Sequence, residues 1–104
     1  MNWTSKDKTR LIQAILALET ESEARRFLRD LMTENEIEEF AKRLKAAAML
    51  AEGASYVAIE KDTGLSSTTI ARVAKWLNGK AGGYRAVINK LHHHSTIPLR
   101  RGLS

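Results

Sequence analysis

The chain has 104 residues, with 17 basic and 12 acidic side chains and no cysteine. This length suits one small domain with a limited core, and oligomerisation would add to its stability. The lack of cysteine excludes disulfide scaffolds, thiolate metal sites and cysteine nucleophiles. No apolar run is long enough to span a bilayer, and the N-terminal segment lacks the apolar core of a signal peptide. We therefore expect a soluble, cytoplasmic protein without a membrane partner.

The positive charge is concentrated in the second part of the chain. Residues 61–104 contain eight basic side chains and one acidic side chain, Asp62, whereas residues 1–60 contain nine basic and eleven acidic ones. A local excess of positive charge is typical of a surface that meets a polyanion. This distribution favours a nucleic-acid interface in the second part of the chain.

The first predicted helix is capped by Thr4 or Ser5 and runs to about Leu18. A wide face of this helix is apolar, and so wide a face favours burial between two subunits. The apolar residues are Leu11, Ile12, Ile15, Leu16 and Leu18.

Two further helix starts carry capping-box spacings. Thr20 and Glu23 begin the second predicted helix, and Thr33 and Glu36 begin the third, which is the longest and ends at Gly53. An apolar stripe at spacings of three and four runs along the third helix, which makes it the central helix of the predicted domain.

Two short helices joined by a tight turn are predicted between Ser55 and Leu77. Gly64 can adopt a positive φ at the turn, Leu65 can fill the corner, and Ser66 or Ser67 can cap the second helix. This pattern is typical of a helix-turn-helix. We expect inward-facing residues as follows: Val57 and Ile59 on the first helix, and Ile70, Val73, Ala74 and Leu77 on the second.

The opposite face of the second helix carries hydroxyls, cations and one aromatic ring, which suit phosphates and base edges better than a core. Two helices around a glycine also occur in all-α proteins that never contact nucleic acid, and the basic composition favours DNA binding. Residues predicted to meet base edges and phosphates are Ser66, Ser67, Thr68, Thr69 and Arg72. Those predicted mainly to hold the backbone are Ser55, Tyr56, Lys61 and Lys75.

A last amphipathic helix is predicted from Tyr84 to Leu91. The expected organisation is an all-α domain for DNA binding and dimerisation at residues 1–91, with the helix-turn-helix at about 55–77, followed by a basic flexible tail at residues 92–104. Adjacent residues on a helix point in different directions, so the three histidines at 92–94 do not predict a metal site. No catalytic constellation is recognisable, and we expect neither an enzyme nor a cofactor.

The order of these segments resembles the tryptophan repressor family, and more closely its tryptophan-repressor-related bacterial branch. The resemblance covers about residues 28–91 and rests on LMTENEIEEFAKRLKAAAMLAEG in the central helix together with DTGLSSTTIARV in the motif. It implies six helices, an intertwined homodimer and two projecting heads that bind double-stranded DNA.

The same resemblance implies a corepressor pocket at Thr33, Arg43 and Arg72, with the two arginines on either side of an indole ring. This chain departs from the family at Val73, where those repressors have glycine, and at Trp76, where they have serine. We therefore expect that L-tryptophan is not the corepressor. Trp76 either covers the site, stacks on a guanidinium or packs only within its own subunit, and the sequence leaves these alternatives and the identity of any effector open.

The leading functional hypothesis is a sequence-specific transcriptional regulator, a repressor by resemblance, that acts as a homodimer. One alternative is the DNA-end-binding module of a mobile element. Another is a helical protein-interaction adaptor whose basic half meets an acidic protein. Affinity for random duplex DNA separates the adaptor from both DNA-binding hypotheses.

Overall fold

Six helices make up the computed structural model, which describes the backbone of residues 1–102 and the side chains of residues 1–92. The helices are α1 (Lys6–Leu16), α2 (Glu21–Leu31), α3 (Glu34–Ala51), α4 (Tyr56–Thr63), α5 (Ser67–Leu77) and α6 (Gly83–Gly102). The described part of the chain contains no strand. The predicted all-α, six-helix fold is therefore confirmed. None of the helices within the described residues has the length and hydropathy that a membrane span requires.

The helix starts follow from local capping. Ser5 accepts a hydrogen bond from the amide of Lys8, and Thr20 with Glu23 forms a complete capping box. At the start of α3, the hydroxyl of Thr33 accepts from the amide of Glu36, while the carboxylate of Glu36 accepts from the amide of Thr33. All three predicted capping arrangements are confirmed, with Ser5 rather than Thr4 as the cap of α1.

The chain divides into two compact units, and the first comprises Met1–Ile37. Neither α1 nor α2 contains a buried residue. The apolar residues Leu11, Ile12, Ile15 and Leu16 of α1 are all exposed. The first unit therefore has amphipathic helices without a core of its own.

The second unit begins at Glu38 and contains the core. Its core cluster comes from α3, from α4, from the turn and from α5: Ala46, Ala47, Ile59, Leu65, Ile70 and Val73. Thr63 and Leu77 are buried as well. Tyr84 and Ile88 of α6 pack against this cluster. Ala46 and Ala47 of α3 belong to the same buried cluster as side chains of α4 and α5, so packing holds the two helices of the motif in place.

Two sequence-based expectations differ from the structure. Val57 does not face inward, because its side chain is 64% exposed while Ile59 is fully buried. Residues two positions apart on a helix are separated by about 200° around its axis, so Val57 and Ile59 cannot lie on one face. Helix α6 is also longer than the pattern predicts, because it ends at Gly102 rather than near Leu91.

The longer α6 includes most of the segment that the sequence assigns to a basic tail. The backbone stays helical through residues 92–102 and continues past Pro98, although proline has no amide proton for the internal hydrogen bond of a helix. The flexibility of residues 92–104 stays a prediction, and residues 103 and 104 lie outside the described residues.

Candidate nucleic-acid interface

The first helix of the motif starts at a serine cap. Ser55 accepts a hydrogen bond of 3.1 Å from the amide of Ala58 through its side-chain oxygen. Tyr56 and Lys61 are exposed on α4. Ser55 thus has a structural role, while Tyr56 and Lys61 stay accessible to a polyanion.

The turn between α4 and α5 is fixed by three consecutive residues. Gly64 has φ +75° and donates its amide proton to the carbonyl of Glu60 at 2.9 Å, which ends α4 in a left-handed conformation. Leu65 is buried at the corner between the helices. Both roles predicted for this turn are confirmed.

Thr63 is a buried residue of the turn that the sequence pattern did not single out. Its hydroxyl donates to the carbonyl of Ile59 at 2.7 Å and accepts from the amide of Leu65 at 3.1 Å. A buried hydroxyl is tolerated because both of its hydrogen bonds are made. Threonine just before a left-handed glycine does not by itself predict this arrangement, because threonine hydroxyls bind nearby backbone groups in many turns.

Ser66, rather than Ser67, caps α5. Its oxygen accepts from the amide of Thr69 at 3.1 Å and donates to the hydroxyl of Thr69 at the same distance. Ser67 and Thr68 are exposed, whereas Thr69 is half-buried. The hydroxyl of Ser66 is therefore engaged in capping, and Ser67 and Thr68 have the freer hydroxyls at the start of the helix.

The two faces of α5 differ sharply in burial. Ile70, Val73 and Leu77 are buried, and Ala74 is half-buried. Arg72 and Lys75 are exposed, and neither makes an ion pair or hydrogen bond with another residue in the described part of the chain. Since the buried stripe prevents rotation of α5, its cationic side is held in one orientation.

Two arginines from different helices meet at a small cavity, here called the Arg43–Arg72 cavity. Its volume is about 60 Å³, and it is lined by Arg43, Thr69, Arg72, Val73, Trp76 and Tyr84. Four of these residues belong to the pocket that the family resemblance implies. Tyr84 and Thr69 are additions, and only tertiary packing of α6 on the motif brings Tyr84 there.

Arg43 is oriented by its own helix. Its Nε donates to Oε2 of Glu39 at 3.1 Å, and its guanidinium lies 5.7 Å from the centroid of the Phe40 ring. This is the one cation–ring contact within the described residues. Trp76 is 58% exposed and lines the cavity without stacking on a guanidinium.

Thr33 lies in the first unit, where it forms the capping box of α3. Its part in a ligand pocket stays a prediction. The described residues contain no group of three or more histidine, aspartate or glutamate side chains that could hold a metal ion.

The chain is similar to a known protein family and to several individual proteins. Residues 6–92 match the family described as Trp repressor protein. The uncharacterized protein YerC of Bacillus subtilis (strain 168) is 40% identical over 91 residues, which cover 88% of each chain.

Two crystal structures have the same fold. A TrpR-like protein from Eubacterium eligens ATCC 27750 matches with a TM-score of 0.81 and 38% identity, covering 86% of this chain and 93% of that chain. A candidate Trp repressor from Staphylococcus aureus matches with a TM-score of 0.82 and 33% identity, covering 88% of this chain and 95% of that chain. The chain described here belongs to the Trp repressor family.

Proposed function

We propose that this protein is a sequence-specific DNA-binding transcription regulator. The observation that carries this proposal is the exposed cationic face of α5, which is held by a buried stripe in the second helix of the motif. Regulation rather than catalysis is also what membership of the Trp repressor family suggests. A regulator acts where the chromosome is, so we place the protein in the cytoplasm.

The side chains of the interface have different roles in this proposal. Ser67 and Thr68 are free to meet base edges, because neither is needed for the cap of α5. Arg72 is exposed and free to meet a phosphate. Tyr56, Lys61 and Lys75 hold the phosphate backbone. Ser55 and Ser66 act mainly through the helices they cap, and Thr69 faces both Ser66 and the cavity.

We further propose that the regulator is a homodimer. Neither α1 nor α2 has a buried residue, although both are strongly amphipathic, and exposed apolar faces of this kind need a partner surface. A groove of about 410 Å³ beside Trp3 and Ile12 offers such a surface in the first unit. A two-fold dimer would present two copies of α5 to a symmetric DNA site.

We also propose that the protein represses rather than activates transcription, and that L-tryptophan does not control it. Repression is favoured by the family to which the chain belongs. Independence from tryptophan is favoured by the small volume of the Arg43–Arg72 cavity and by the side chain of Val73 in its wall.

Affinity for random duplex DNA, measured by fluorescence anisotropy over a range of salt concentrations, tests the DNA-binding role. We expect the affinity to fall steeply with salt, because each phosphate contact releases a counterion. A protein-interaction adaptor would show no duplex affinity under the same conditions. A DNA-end-binding module would prefer an end over an internal site, which a comparison of linear and circular duplexes would reveal.

A further inference from the structure

The Arg43–Arg72 cavity combines two guanidinium groups with no carboxylate in its lining. Glu39 contacts Arg43 at Nε only, and it is not part of the cavity wall. A small concave site beside two guanidinium groups attracts anions, and the carboxylate of Glu39 offsets part of the charge of Arg43 but none of the charge of Arg72.

Both arginines have N–H groups without a hydrogen-bond partner in the described part of the chain. The contacts with Glu39 and Phe40 fix the side chain of Arg43, but they leave Nη1 and Nη2 without a partner in the described part of the chain. Arg72 makes no hydrogen bond there at all. Guanidinium groups in this state suit oxyanions, which accept two parallel hydrogen bonds from one arginine.

Two hydroxyls add neutral donors to the cavity. The oxygen of Thr69 accepts from Ser66, so its own proton remains available, and Tyr84 contributes a phenol. An ammonium group would find no carboxylate in the cavity wall. The lining therefore favours an anion without an amino group over a free amino acid.

The volume limits the size of the anion. One water molecule needs about 10 to 15 Å³ of this kind of volume, so about 60 Å³ holds roughly four to six atoms of that size. An enclosed apolar cavity of about 150 Å³ holds a single benzene ring, so an indole would extend out of this partly open cavity. A phosphate group, with five heavy atoms, fits.

We propose that the Arg43–Arg72 cavity binds one phosphate group. The group comes either from a free phosphate or from the DNA backbone, and only the second source rests on the proposed function. In both cases the phosphate joins α3 to α5 through the two arginines. The anion then occupies the position where the family resemblance implies a corepressor.

Titration with inorganic phosphate in the absence of DNA tests the proposal. Chloride is exchanged for phosphate at constant ionic strength, and amide shifts of Thr69, Arg72 and Tyr84 are followed by nuclear magnetic resonance. We expect saturable shifts at these residues and at least a roughly tenfold weaker affinity in Arg72→Gln, which removes charge-assisted hydrogen bonds.

Lys42→Gln is the matched control, because Lys42 is an exposed cation next to Arg43 that does not line the cavity. This variant removes the same charge and should weaken phosphate binding less than about twofold, as expected for a screened surface cation. Thermal unfolding of each variant verifies that the fold is retained. Shifts that do not saturate, or equal losses in Arg72→Gln and Lys42→Gln, would overturn the proposal.

A second arm identifies the source of the phosphate. Random duplex DNA is added to the phosphate-saturated protein, and release of the ion is measured with phosphorus resonance. Release in proportion to bound duplex assigns the cavity to a backbone phosphate, whereas retention assigns it to a free ion, and either result supports the phosphate site. If the protein binds phosphate but no duplex, only the proposed function fails; if it binds duplex but no phosphate, only this inference fails.

Discussion

Lys45 on α3 and Asp62 on α4 form an ion pair, with Nζ of Lys45 2.7 Å from Oδ1 of Asp62. The pair joins the central helix to the first helix of the motif. Both side chains are well exposed, 56% for Lys45 and 40% for Asp62, so water and salt screen their attraction. We therefore regard the pair as a contact that sets orientation more than stability.

Asp62→Asn should lower the free energy of unfolding by less than about 1 kcal/mol, because exposed ion pairs contribute little. The loss should shrink further at high salt. Urea unfolding at two salt concentrations measures both effects, with Asp30→Asn as the control, since Asp30 is an exposed acid with no ion pair among the described residues. A loss of several kcal/mol that persists at high salt would show that the pair is essential to the fold.

Gly64→Ala should be destabilising by roughly 1 to 2 kcal/mol, because a side chain at φ +75° clashes with its own backbone even though the surrounding space is open. Gly83→Ala is the control. Gly83 is the first residue of α6, has no positive φ and has nothing within 4 Å of an added Cβ. We expect it to be neutral or to stabilise by up to about 1 kcal/mol. Equal midpoints of urea unfolding in the two variants would contradict the turn geometry.

The native protein should sediment as a homodimer at micromolar concentration. Ile15 of α1 is 47% exposed, and Ile15→Glu should lower the dimer fraction, because a carboxylate buried in an apolar interface is costly. Lys6→Glu is the control, since Lys6 is exposed in the first turn of the same helix, where an acid is tolerated. A folded monomer of the native protein at this concentration would rule out the dimer.

L-tryptophan should show no saturable binding at micromolar concentration in calorimetric titration. Val73 is buried and adds a branched side chain to the wall of the Arg43–Arg72 cavity, and overfilling a fitted cavity costs about 1 to 3 kcal/mol. Duplex binding by the same preparation verifies that the protein is active. Saturable binding together with tryptophan-dependent DNA binding would prove this prediction wrong.

Features set by neighbouring residues were predictable from the sequence. The caps at Ser5, Thr20 and Ser66 and the left-handed Gly64 depend on groups within four residues, so the spacing of residue types is sufficient to predict them. Val57 was assigned wrongly because a short helix offers few apolar positions to define its phase. On α4, only Ile59 and Thr63 are buried.

Features set by distant packing were not predictable in the same way. Tyr84 reaches the Arg43–Arg72 cavity only because α6 packs on the motif, and no local pattern indicates this. The hydroxyl of Thr63 acquires its importance from burial, which the sequence does not display. That Arg43 and Arg72 line the same cavity was expected from the family resemblance and not from their spacing in the sequence.

Selection of binding sites from a pool of random duplexes, with the native protein and with two variants of α5, tests the central claim most directly. The claim is that the exposed face of α5 reads DNA, and the two copies in a dimer should lie about one helical turn, roughly 34 Å, apart. We expect enrichment of a site with two-fold symmetry. Thr68→Ala should relax the preference at its base by roughly 1 kcal/mol, whereas Lys75→Ala should weaken binding to all sequences alike. No enriched site, or an unchanged preference in Thr68→Ala, would contradict this assignment of the reading face.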